Sequence, residues 1–168
     1  MSDFNPYQTP KSNLTRADDP AAVLAGRGQR FLAAMVDGVV SLVVMIPVMM
    51  MLGMFKYFEK GLEPPFTLML VSTALGFAVF VAFHYVLLVK NGQTIGKKLL
   101  SIRIADLAGN KPAIGTILFK RYLPISIMGL IPVIGQILPL VDLLFIFRKD
   151  RRCVHDLIAG TQVVRVTG

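Results

Sequence analysis

Residues 31–54 read FLAAMVDGVVSLVVMIPVMMMLGM, two dozen positions with a single charge, Asp37. At 1.5 Å per residue such a run crosses the roughly 30 Å hydrocarbon layer of a bilayer, and it lacks the polar face that a helix of a water-soluble domain keeps. Two further runs, 66–89 and 124–147, have the same character, and each again encloses one ionisable residue, His84 and Asp142. Hydrophobic residues make up 54% of the 168-residue chain and the mean hydropathy is +0.63, which leaves little surface to face water. The pattern predicts an all-α integral membrane protein. An acid at the centre of a span costs about 2.5–3.5 kcal/mol on insertion scales, so each one needs a partner, a wet cavity or a task.

The net charge of +8 comes from basic residues that flank the apolar runs and do not interleave with aromatics, so the chain is read as oriented in a membrane and not as bound to nucleic acid. Arg27 and Arg30 stand just before the first run, and seven basic residues lie between Lys90 and Arg121. The 55–65 loop has only Lys56 and Lys60, offset by Glu59 and Glu63. The positive-inside rule then puts the N-terminus and the middle loop in the cytoplasm and makes the first two spans, 31–54 and 66–89, two antiparallel transmembrane helices.

The third run conflicts with simple alternation, because Arg148, Lys149, Arg151, Arg152 and Arg165 follow it and also belong inside. Two crossings need about 40 residues, more than this run supplies, and GLIPVIG at 129–135 interrupts it. The region 115–147 is therefore predicted to be a short or re-entrant helical hairpin, with arms near 115–129 and 135–147; one kinked third span is the alternative. Residues 1–26 read as a disordered cytoplasmic tail and 27–168 as the membrane domain. Thirty polar residues precede the first run, which exceeds a signal-peptide core in length, so that run is expected to stay as an anchor. Two β-branched stretches, 101–105 and 161–166, predict a small cytoplasmic β-ribbon. Cys153, the one cysteine, has no second thiol for a disulfide or a thiolate metal site and reads as an ordinary cysteine; no cofactor is expected.

Counting from the cytoplasmic boundaries, Asp37, His84 and Asp142 all lie about 7–9 Å below the inner interface. They can therefore meet, and two carboxylates near an imidazole form a cation- or proton-binding cluster. Small residues four apart, Ala34 and Gly38 on the first span and Ala74, Ala78 and Ala82 on the second, suit close helix packing within one chain or between two.

Arg30 and Asp37 are two turns apart on one helical face, Arg30 at the water boundary and Asp37 within. With them the chain resembles the RDD family of small bacterial membrane proteins, whose signature is an arginine at the start of its first helix, an aspartate inside that helix and a second aspartate further on. GQTIGKKLL at 92–100 with Ile102, Arg103 and Ile104 looks like the family's middle-loop motif, and HDLIAGT at 155–161 like its closing motif. Asp156 is taken as the second signature aspartate, with Asp142 as the alternative. The resemblance covers about residues 25–166 and implies a bacterial inner-membrane, multi-pass protein. Some members are proposed to exchange Na⁺ or another monovalent cation for protons.

Two functions follow as expectations. In the first, Asp37 alternates between cation and proton, Asp142 or His84 adjusts it, and Arg30 is a gating counter-charge; a homo-oligomer encloses the path. The second is a non-transporting membrane adaptor or assembly factor, with Lys97, Lys98, Arg103, Arg121, Arg151 and Arg152 on anionic lipid headgroups or a protein partner, each worth about 1 kcal/mol near such a surface. An enzyme is not expected. The 92–98 loop only superficially resembles a phosphate loop, since its glycines are misplaced and no Ser or Thr follows the lysine.

Overall fold

The computed structural model describes residues 23–131 and 134–166. Helix α1 spans Arg27–Met51 and α3 spans Phe66–Asn91, 25 and 26 residues and so about 38 Å each. Both are long and apolar enough to cross a membrane. They run antiparallel: Asp37 faces His84, and eight residues further along α1 Met45 reaches Gly76, eight residues earlier on α3. Pro47 sits inside α1 without ending it. Between them Gly53 takes a left-handed turn and a short α2, Met54–Glu59, caps the end of the pair, an element the sequence pattern does not announce. Most apolar side chains of the pair point outward, Val43 and Met50 at 68% and 65% exposure.

At the other end the chain builds a compact polar cap. Gly92 ends α3 with φ of 65°, and a Cβ there would lie 2.9 Å from the Ile104 carbonyl oxygen, so both conformation and space demand glycine. Thr94 then caps α4, Ile95–Leu99, by accepting the Lys97 amide. Strand β1, Ile102–Asp106, pairs antiparallel with β2, Thr161–Arg165, placing Ile104 opposite Val163. This is the expected ribbon. Leu24 extends it by a bridge to Val164, and the Ala25 amide donates to the Val163 carbonyl. Of the expected 1–26 tail, residues 1–22 lie outside the described residues, while 23–26 run along the ribbon. Ala25, Ala33, Ile102 and Val163 form one small core; Leu88, Ile104 and Ile117 form a second against α3. The strands thus plug the base of both long helices.

The third apolar region is a helical hairpin. A π-helical segment, Thr116–Tyr122, continues into α5, Leu123–Met128; after the turn, α6, Ile134–Leu144, returns and ends in one 3₁₀ turn, Phe145–Phe147. A Cβ on Gly135 would lie 2.5 Å from the Gly129 carbonyl oxygen, so the two arms cross at paired glycines. Both outer ends come back to the cap, where Arg121 bonds Asp156 and the Arg27 guanidinium donates to the Arg148 carbonyl at 3.3 Å. A single kinked span would separate those ends by its whole length. Helix α7, Val154–Ala159, closes the cap before β2.

Candidate functional site

Three charged groupings occupy the cap and the helix ends beneath it. The first is centred on Asp37. Its carboxylate accepts the Thr94 hydroxyl at 2.5 Å and the Gly96 amide at 2.7 Å, and Lys97 lies 3.7 Å away. The middle-loop motif is thereby explained as a dock: Thr94 caps α4 and bonds Asp37, and Gly96 allows α4 to lie on α1, since a Cβ there would meet the Ala33 carbonyl oxygen at 2.2 Å. His84 approaches from α3 with Nε2 3.5 Å from Asp37, while its Nδ1 bonds the Phe80 carbonyl at 2.9 Å and its ring stacks on Phe80. The cavity beside His84 is about 20 Å³, walled by apolar side chains such as Val40, Val44 and Phe83. That admits about one water.

The second grouping is centred on Asp156, which is fully buried at the start of α7. Arg30 from α1 and Arg121 from the π-helical segment both bond its carboxylate, Thr161 donates to it at 3.2 Å and the Cys153 amide at 3.1 Å. Burial alone would raise this carboxyl, but the Arg121 and Arg30 guanidiniums hold it well below the usual carboxylate range. Arg30 also donates to the Arg151 carbonyl and to Cys153 Sγ, the latter at 3.2 Å. Two of the signature charges, Arg30 and Asp156, therefore meet directly, and they tie α1, the hairpin and α7 into one unit. Arg30 is committed to this knot.

The third grouping is Asp142 on α6 with His155 on α7. Asp142 accepts the His155 amide at 3.0 Å and stands 2.6 Å from Nδ1; on its far side His155 Nε2 faces the Arg121 guanidinium at 3.0 Å. Burial and the Arg121 charge hold the His155 imidazole below its ordinary value, so the ring is neutral, donating from Nδ1 and accepting at Nε2. This pair lines two clefts, whose walls it shares with Arg121, Arg30 and Lys97 of the other groupings. One, about 400 Å³, has Thr73, Phe77, Phe80, Arg121, Tyr122 and Ser126 among its walls; the other, about 200 Å³, has Arg30, Lys97 and Cys153. Burial pushes the Cys153 thiol up to about 11, against the pull of Arg30.

The expected three-way cluster of Asp37, His84 and Asp142 does not form. Asp37 and His84 pair, as expected, but Asp142 turns to His155. Equal depth along separate helices fixes height, not the direction in which each side chain points. The basic face is also smaller than expected. Arg121 is 1% exposed, a correction that follows from its bond to Asp156. Lys97 reaches Asp37, Arg103 donates to the Gly109 carbonyl, Arg151 to the Ala25 carbonyl and Arg152 to the carbonyls of Thr161 and Asp156. Lys98 is exposed. The residues that sequence reasoning passed over are His155, quoted only within the closing motif, and Cys153, set aside for want of a second thiol. The small-residue stripe points away from α1: Ala74, Ala78 and Ala82 are exposed, and Gly38 has open space around it.

The pattern of the RDD family matches residues 24–160. The chain belongs to the RDD family. It is similar to an uncharacterized protein of Haemophilus influenzae, 28% identical over 142 residues, which cover 84% of this chain and 78% of that protein. It is also similar to the uncharacterized protein YckC of Bacillus subtilis, 36% identical over 78 residues, 45% of this chain and about half (49%) of that relative. No solved structure matches the chain. Within the RDD frame, Arg30 and Asp156 are joined and Asp37 is the dock for α4.

Proposed function

We propose that this RDD protein resides in the bacterial inner membrane, with α1 and α3 across the bilayer, the 114–147 hairpin entering from the cytoplasmic side, and the N-terminus and cap in the cytoplasm. The outward-facing apolar side chains of both long helices support this, because a continuous apolar surface of that height is not sustained in water. The basic residues flanking the cap end give the orientation.

Its function is exchange of a monovalent cation for protons, with Asp142 as the working carboxylate. One observation carries this reading: the Asp142–His155 pair stands in the walls of two clefts, where water and a hard cation can reach its oxygens. Asp37 and Asp156 are instead held by fixed donors that a transported ion would have to displace. Three short elements enclose no complete path, so a second copy supplies the missing wall, and the exposed Ala74, Ala78 and Ala82 stripe is a suitable face for it. The adaptor reading loses Arg121 to the buried knot and keeps exposed basic side chains such as Lys90, Lys98, Lys120 and Lys149.

The test is cation-dependent dequenching of a pH-sensitive dye in proteoliposomes of the pure protein. A Na⁺ or K⁺ pulse dequenches the dye with the wild type and leaves it unchanged with Asp142→Asn. No response from folded wild-type protein would end the exchange reading and leave the adaptor.

A further inference from the structure

We infer that Asp142, Cys153 and His155 form a site for one divalent transition cation of the zinc class. A ligand atom from each lies within 4.8 Å of those of the other two. All three side chains also line the same cleft of about 200 Å³, so an ion has a route in and room for water as a fourth ligand. A thiol, an imidazole and a carboxylate are the mixture such cations take. Magnesium and calcium prefer oxygen alone, and a hard monovalent ion gains nothing from sulfur.

One local adjustment completes the geometry. With metal–ligand bonds of about 2.0–2.3 Å, tetrahedral ligands stand roughly 3.3–3.8 Å apart, so the 2.6 Å contact between His155 Nδ1 and Asp142 opens by about 1 Å as the ion enters between them. The Nδ1 proton moves to Nε2. The Nε2 proton then points at the Arg121 guanidinium, 3.0 Å away, so that arm of Arg121 turns aside and water takes the hydrogen bond. The thiol proton is the one released, displaced outright by the cation. The resulting thiolate and the Asp142 carboxylate neutralise the ion, and Arg30, 3.2 Å from Sγ, faces the sulfur that has become negative. The loaded site fastens the returning arm of the hairpin to α7. With the ion bound Asp142 is taken, so the exchange proposed above belongs to the metal-free protein.

The experiment is a Co²⁺ titration of the full chain, stripped of metal by a chelator and held in detergent. The expected result is one equivalent bound with a thiolate-to-cobalt charge-transfer band and the visible bands of four-coordinate cobalt, all removed by one equivalent of Zn²⁺. Cys153→Ser, with folding checked by gel filtration, loses the charge-transfer band, and His155→Ala weakens binding by more than the roughly 10–100-fold that loss of a supporting partner costs. No charge-transfer band in the wild type, or wild-type affinity in both variants, would overturn the site. Ion flux in chelator-treated proteoliposomes is a separate readout, so flux without a cobalt band sinks this inference alone, and a band without flux sinks the exchange reading alone.

Discussion

Asp156 and Asp142 lie on either side of His155, and their surroundings could hardly differ more. Asp156 is wholly buried between two guanidiniums, with a hydroxyl and an amide on its remaining lone pairs. Asp142 has one imidazole and one amide and looks into two clefts. A saturated carboxylate holds elements together, whereas a partly satisfied one beside a cleft can exchange what it holds. Asp37 falls with Asp156 by saturation and not by burial: four groups address it, although its side chain is 15% exposed against 13% for Asp142.

The largest expected effect tests the saturated side. Arg121→Ala leaves Asp156 buried with one guanidinium lost, and breaking a buried pair in this way costs about 3–5 kcal/mol. Thermal unfolding followed by gel filtration in detergent should show a fall large enough to lose most folded protein; a small shift would mean that Arg30 alone suffices. Gly96→Ala comes next. Its Cβ would sit 2.2 Å from the Ala33 carbonyl oxygen, so α4 must lift off Asp37 at a cost of about 1–3 kcal/mol, read by the same melt.

Acid should separate the groups by pH. The folded Asp156 carboxyl titrates below its unfolded value, so its contribution is present above about pH 4 and fades as pH falls from there towards its folded value. His155 also titrates low when folded; the unfolded chain then takes up the proton more readily, so stability is full above about pH 6.5 and declines below it. In metal-free buffer the melting temperature therefore drops in two stages, and His155→Gln flattens only the upper one. A single stage unaffected by that variant would show that the ring does not carry the upper transition. The smallest effect is Thr94→Ala, which removes a helix cap and one of the donors to Asp37, about 0.5–2 kcal/mol by melt.

Much of this architecture was legible before any coordinates. The two long apolar helices, the hairpin with its break at 129–135 and the β-ribbon follow from run length, proline and glycine placement and β-branching, all properties that act locally. The pairing of Asp37 with His84 was legible too, because both sit on long, regular, antiparallel helices. Asp142 was misplaced because its arm is short and tilted by the turn at Gly129 and Gly135, and no count along a helix gives its direction. Arg121 was assigned to the headgroups because a charge in an apolar arm says nothing of a buried acid 35 residues away. The closing motif held the missing information: His155 and Asp156 are adjacent, so once Asp156 is fixed between two arginines, His155 is carried against α6.

The division between saturated and partly satisfied carboxylates is tested most directly by comparing Asp37→Asn and Asp142→Asn in one proteoliposome assay, with cation-dependent proton flux expressed per folded molecule. Flux should persist in Asp37→Asn, with a lowered melting temperature, and vanish in Asp142→Asn. Loss of flux in Asp37→Asn with full flux in Asp142→Asn would contradict it.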